Sequence, residues 1–185
     1  MNDPAPAWPP GTIFTLGHST LSIEAFVALL QTYAIHTLCD IRTVPRSRHN
    51  PQFNADTLGE TLAPYAIAYQ PMPALGGLRK TTKASPNTGW RNASFRGYAD
   101  YMQTPAFADA VQKLIEIGRN NRTAIMCAEA VPWRCHRSLV ADALEVRGVE
   151  AIEILSPTDW RLHKMTSFAR IDGTDIIYPA PASES

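Results

Sequence analysis

A chain of 185 residues with 45% hydrophobic content is long enough for one substantial core and short for two domains. Lys plus Arg and Asp plus Glu each number 17, so formal net charge is zero. That balance excludes a global positive field drawing the chain to nucleic acid or acidic lipid, and any anion site must be local.

No basic segment followed by an apolar run marks a signal peptide, and no apolar stretch approaches the roughly 20 residues of a membrane span. The expectation is a cytoplasmic protein without membrane contact. The three cysteines, Cys39, Cys127 and Cys135, form an odd set without a framework, so reduced thiols are expected. Residues 1–10, rich in proline, are expected to form a loose leader, residues 11–178 one domain, and residues 179–185 a tail.

Gly11–Gly17, "GTIFTLG", reads as a strand ending at Gly17-His18-Ser19-Thr20. Ser22 can then cap a helix in which Phe26, Leu29, Leu30 and Tyr33 recur at helical spacing. "HTLCDIR" reads as a second buried strand, followed by the polar loop "TVPRSRHNPQFN", a helix from about Ala55 to Pro64, and a short strand "AIAYQ". Residues 71–94 show no sustained period and are rich in Gly, Pro, Ser, Thr and Asn, so a long loop, either disordered or functional, is expected.

The stretch "FRGYADYM" reads as a helix packed on the core, with Trp90 the aromatic best placed to meet a ligand. Thr104-Pro105 supplies a cap and a first-turn proline for a helix carrying Phe107, Val111, Leu114 and Ile115 and ending near Gly118. "RTAIMCAE" reads as a buried strand, residues 136–147 as a helix closed by Gly148, and "VEAIEIL" as another strand. "ARIDGTDIIYP" suggests a terminal hairpin around Asp172-Gly173. Alternating strands and crossover helices predict a single α/β domain: a mostly parallel sheet with helices on both faces, a Rossmann-like three-layer arrangement.

In such sheets the useful loops lie beyond the carboxyl ends of the strands. The chemically rich stretches stand there: Gly17-His18-Ser19, Asp40-Ile41-Arg42, the Leu75-Gly76-Gly77 region, and Cys127 through Arg137. Strand order is not visible in sequence, but this placement makes one common crevice the favoured expectation.

The blocks "GHST", "CDIRTVPRSRHNPQFN", "LGG", "FRGYADYM" and "MCAEAVPWRCHRSLVADAL", in that order over residues 17–155, resemble the prokaryotic family catalogued as domain of unknown function 488. The resemblance implies a compact α/β domain and a cytoplasmic location. Some members are labelled as DNA-repair proteins, which suggests nucleic acid without a mechanism. Motif match carries over His18, Ser19, Asp40, Arg42, Pro45, Arg46, Glu129, Cys135, His136 and Arg137 as site positions.

The chemistry of these residues points first to an anion. Arg42, Arg46, Arg48, Arg134 and Arg137 offer planar forks suited to phosphate or carboxylate, and a helix starting near Cys135 would add its N–H groups. The alternative is that some of them pair with Asp40 and Glu129 to stiffen loops. Cys135, flanked by Arg134, His136 and Arg137, sits where a thiol pKa would fall and a nucleophile would form. The phosphatase pattern puts Arg six positions after Cys, however. Position 133 is Trp and Arg134 is seven after Cys127, so the spacing departs from that pattern and favours a packing role for the thiols.

His18 and His136 are acid/base candidates, with Asp40 or Glu129 as partners. Cysteine and histidine spacing does not match a metal site, and no cofactor is specified. Two functions follow: an enzyme, hydrolase or transferase, acting on a phosphate-bearing small molecule, nucleotide or nucleic-acid component, or a non-catalytic module binding a nucleotide or nucleic acid. Catalytic expectations fall on His18, Asp40, Glu129, Cys135 and His136, and substrate-binding ones on Ser19, Arg42, Arg46, Trp90, Arg134 and Arg137.

Overall fold

The computed structural model describes residues 7–182. In chain order it contains β1 (Ile13–Gly17), α1 (Ile23–Thr32), β2 (Thr37–Asp40), α2 (Ala55–Leu62), β3 (Ala68–Pro71), α3 (Ala93–Tyr101), α4 (Pro105–Asn120), β4 (Thr123–Cys127), α5 (Arg137–Glu145), β5 (Ala151–Ile154), β6 (Trp160–Leu162), β7 (Arg170–Asp172) and β8 (Asp175–Ile177). The main sheet runs β3-β2-β4-β1-β5-β6, parallel except for β6, and β7-β8 form the separate terminal hairpin. This is the expected single-domain, three-layer α/β fold.

Strand alternation divides the core into two layers. Phe14, Leu16, Leu38, Ala124, Met126 and Ile152 face Phe26, Leu30, Leu58 and Leu62 of α1 and α2. Their neighbours Ile13, Cys39, Ile125 and Cys127 face Tyr98, Val111, Leu114, Leu139 and Val140 of α3, α4 and α5. The caps work as the sequence implies: Ser22 Oγ accepts from Ala25 N at 3.1 Å, and Thr104 Oγ1 from Phe107 N at 3.3 Å. Gly148 and Gly173 adopt positive φ, +77° and +62°, at the end of α5 and in the hairpin.

Three features extend the sequence reading. β6 lies antiparallel on the β5 edge, a short exposed strand with too little apolar alternation to register. Residues 1–6 of the expected leader and 183–185 of the expected tail lie outside the described residues, but Trp8 is docked, its ring 5.0 Å from Phe14 and 5.3 Å from Trp160. Residues 78–92 are irregular yet anchored: the Asp100 carboxylate accepts from Thr82 N, Ser85 Oγ and Asn87 Nδ2, and Asn87 Oδ1 accepts from Tyr178 N. Those bonds hold the Asp100 carboxyl below its usual range against the opposing effect of burial.

A second knot fastens the C-terminal segment. His163 Nε2 lies 2.7 Å from Asp142 Oδ1 of α5 and Nδ1 2.9 Å from Glu153 Oε1 of β5, while Tyr178 OH donates to Asp142 Oδ2 at 2.8 Å. Burial lowers the His163 pKa, but the two carboxylates outweigh it and raise the ring to about 9.

Candidate functional site

The sheet order makes β4 the neighbour of both β1 and β2, which brings three loop starts together. Backbone bonds zip them: His18 N donates to Cys127 O at 2.9 Å, Ser19 N to Ala128 O at 2.9 Å, and Ile41 N to Met126 O at 3.0 Å. Ser19 turns through a positive φ of 47° as the chain leaves the sheet. Over these strand ends lies a cavity of about 660 Å³, within the range of ligand pockets. Its lining includes His18, Ser19, Arg42, Arg46, Glu129, Arg134, Cys135 and His136, eight of the residues expected at the site, together with Cys127.

The β2 side is a closed polar unit. Asp40, 1% exposed, accepts from Arg42 Nε at 2.9 Å, from Arg42 Nη2 at 2.7 Å and from the Tyr69 hydroxyl. Arg42 Nη2 also donates to Phe53 O at 2.6 Å, and Nη1 reaches His18 Nε2 at 3.3 Å. Asp40 therefore stands behind Arg42, outside the cavity lining, and orients the guanidinium instead of facing a ligand. The alternative in which arginines pair with acids to stiffen the loops holds for this pair.

Both histidines are committed within the protein. His18 Nδ1 meets Ser19 O at 2.8 Å, and its ring stacks on Phe53 with centroids 4.4 Å apart. Since a guanidinium only donates, Nε2 accepts from Arg42 and Nδ1 carries the hydrogen. Burial, with Arg42 close by, lowers the His18 pKa. His136 Nε2 donates to Ile41 O at 3.0 Å, and its Nδ1 lies 3.5 Å from Cys135 Sγ. Burial pushes the His136 pKa down to about 4, so the ring is neutral at physiological pH. The Gly77 backbone lies flat against it: a Cβ there would come within 2.6 Å of Nδ1. Both histidines expected as catalytic thus have their ring nitrogens engaged within the protein.

Two expected ligand residues point elsewhere. Trp90 does not line the cavity; it stacks on Phe95 at 4.8 Å and packs against Phe168 and Tyr178 under the hairpin. Arg137 is fully buried, because position 137 falls on the α5 stripe shared with Val140, Ala141 and Leu144. Its Nη1 donates to Cys127 Sγ at 2.8 Å and to Glu129 O, and its Nη2 to Ala130 O at 3.1 Å. It ties the β4 loop down from beneath. Gly17 makes room for this, since a Cβ there would overlap the Glu129 carbonyl and meet Arg137 Nη1 at 2.8 Å.

Arg46 and Arg134 remain exposed at the cavity mouth, on the loops after β2 and β4, and neither makes an ion pair among the described residues. Arg48 is exposed and outside the lining. Glu129 is exposed and lines the cavity with its carboxylate unpaired among those residues. Cys127, part of the expected strand-end stretch but not among the expected catalytic or binding residues, lines the cavity, and Tyr69, which the sequence does not single out, holds Asp40. Cys127 carried a legible signal, the last position of a buried strand in a parallel sheet, whereas Tyr69 gave none because its partner Asp40 is distant in sequence.

A six-stranded, mostly parallel sheet with helices on both faces defines a single-domain, three-layer α/β protein. Residues 22–144 match the family model described as "Domain of unknown function DUF488", and the chain belongs to that family. No curated protein and no solved structure matches the chain. Among the described residues no helix is long and apolar enough to cross a membrane.

Proposed function

We propose that the strand-end pocket binds a phosphate-bearing small molecule, a nucleotide or a nucleic-acid component, as a cytoplasmic protein with reduced thiols. The observation that carries this reading is the convergence of Arg46 and Arg134, unpaired among the described residues, on one cavity beside the Asp40-paired Arg42, against a single lining carboxylate, Glu129. Arg42 is held in place by Asp40, so its orientation is set before a ligand arrives, while Arg46 and Arg134 are free to close on one from two loops. Arginine suits this task because its planar fork matches two oxygens of a phosphate at once. Ser19 stands in the same lining as a hydroxyl donor.

As an enzyme, the pocket would use Glu129 as base on a hydrolase or transferase reaction, since Asp40, His18 and His136 have their polar atoms bound inside the protein. The same engagement favours a second reading, a non-catalytic module for a nucleotide or nucleic acid.

Calorimetric titration with inorganic phosphate, ADP and a short single-stranded oligonucleotide tests the proposal. Arg46→Ala and Arg134→Ala are each expected to weaken binding about tenfold, or ~1.4 kcal/mol, with thermal stability unchanged. Unaltered affinity in the double variant overturns the reading. Steady turnover abolished by Glu129→Gln selects the enzyme, and salt-dependent affinity without turnover selects the module.

A further inference from the structure

A fully buried guanidinium needs a counter-charge, because removing a cation from water is costly unless an anion stands beside it. Arg42 has Asp40. Arg137 has no carboxylate within ion-pair distance among the described residues, and its Nε has no hydrogen-bond partner there. Carbonyl oxygens of Glu129 and Ala130 solvate it without neutralising it. The titratable atom on the guanidinium is Cys127 Sγ, 2.8 Å from Nη1. Arginine has no acceptor, so the sulfur accepts, and a thiolate accepts far better than a thiol.

The second thiol lies beside the first. Arg137 N donates to Cys135 Sγ at 3.4 Å while Arg137 Nη1 donates to Cys127 Sγ at 2.8 Å, so one residue holds both sulfurs, and both cysteines line the strand-end cavity. We propose that Cys127 and Cys135 form a redox-active dithiol that reduces hydroperoxides, with Cys127 the attacking thiolate and Cys135 the thiol that closes the disulfide. This goes beyond the anion-binding reading and does not depend on it, since it rests on the floor of the cavity and not on the arginines at its mouth.

The surroundings divide the two thiols between these roles. Burial pushes the Cys127 thiol up, but the hydrogen bond from Cys135 and the charge and hydrogen bond of Arg137 outweigh it and bring it down to about 7. Burial and the adjoining Cys127 push Cys135 well above the ordinary thiol range. Cys39 is a built-in contrast, raised to about 12 by burial and the nearby Asp40. Cys127 is therefore the more acidic thiol of the pair and Cys135 the less acidic.

In the first step the Cys127 thiolate attacks the terminal oxygen of a hydroperoxide. The O–O bond breaks and an S–O bond forms, which oxidises the sulfur to a sulfenic acid and reduces the peroxide to an alkoxide or hydroxide that takes a proton from solvent. In the second step the Cys135 sulfur attacks Cys127, the S–S bond forms and the S–O bond breaks. The Cys135 proton goes to the departing hydroxide, which leaves as water. Two equivalents of a small thiol then reduce the disulfide and leave as their own disulfide.

The test uses the full, reduced chain. Hydrogen peroxide should produce an intrachain Cys127–Cys135 disulfide by peptide mapping, reversed by dithiothreitol, with Cys39 left free. Cys135→Ser should trap a Cys127 sulfenic acid that a dimedone probe labels, and Cys127→Ser should leave Cys135 untouched by peroxide. Independent of any variant's folding, iodoacetamide should label wild-type Cys127 at neutral pH about tenfold or more faster than Cys135. Equal labelling of the two, or peroxide treatment that yields no intrachain disulfide in the wild-type chain, overturns the proposal. A disulfide that forms unchanged in a chain that does not bind phosphate would overturn the anion reading alone.

Discussion

Arg42 and Arg137 are both buried arginines at the carboxyl edge of the same sheet, and they are satisfied in opposite ways. Arg42 rests on a carboxylate that a tyrosine hydroxyl also holds, a closed unit whose charges cancel. Arg137 rests on two carbonyl oxygens and a sulfur. The first arrangement stiffens the β2 side of the pocket; the second leaves a positive charge that only a change of protonation at Cys127 can neutralise. Burial of a cation thus has two outcomes, a structural pair or a tuned neighbour, and the identity of the nearest titratable group decides between them.

The largest expected effect of breaking this contrast lies on the Arg42 side. Asp40→Asn strands a buried guanidinium and should cost about 3–5 kcal/mol in urea denaturation, with much of the loss recovered in the double variant Asp40→Asn, Arg42→Met. A loss under about 1 kcal/mol would show that water reaches Arg42 and that the pair is not closed. Arg137→Met should cost less, about 2–3 kcal/mol, because Cys127 can take a proton and no bare charge stays behind. Alkylation of Cys127 at neutral pH should slow about tenfold or more in that variant. If reactivity is unchanged, Arg137 is not the counter-ion.

Next come two half-buried histidines, His163 and His136, whose pKa values diverge. His163, raised to about 9, contributes stability that is complete below its unfolded value of 6.5 and is lost as pH rises through about 9. His136, lowered to about 4, contributes stability present above 6.5 and lost as pH falls toward about 4. Melting temperature against pH should therefore fall at both ends, with His163→Gln flattening the alkaline limb and His136→Gln the acid one. The smallest effect is at the cavity mouth: Arg46→Ala should move stability by no more than about 0.5 kcal/mol, since the side chain is exposed and makes no ion pair among the described residues.

Much of this was readable from particular residues. Period and caps announced α1 from Ser22 and α4 from Thr104-Pro105, and buried runs announced β1, β2 and β4. The direction of Arg137 was half legible, because 137, 140, 141 and 144 share one helical face and the other three are apolar. Arg134, three positions earlier, precedes the helix and escapes that phase. Proline-rich composition around Trp8 speaks of missing backbone hydrogen bonds and is silent on ring packing, so its docking is not legible there. Trp90 looks exposed as an aromatic in a polar loop, while its cover comes from Phe168 and Tyr178, nearly 80 positions and more along the chain.

The sequence by itself determined the alternation of strands and helices, the three-layer class and the family, because these depend on short-range period, capping and local motifs. Only the tertiary structure decided that β4 lies between β1 and β2, that Asp40 supports Arg42 from behind, and that Arg137 turns inward to Cys127. The reason is physical: strand order and charge pairing are set by contacts between residues far apart in the chain, and local patterns carry no record of which buried groups will meet.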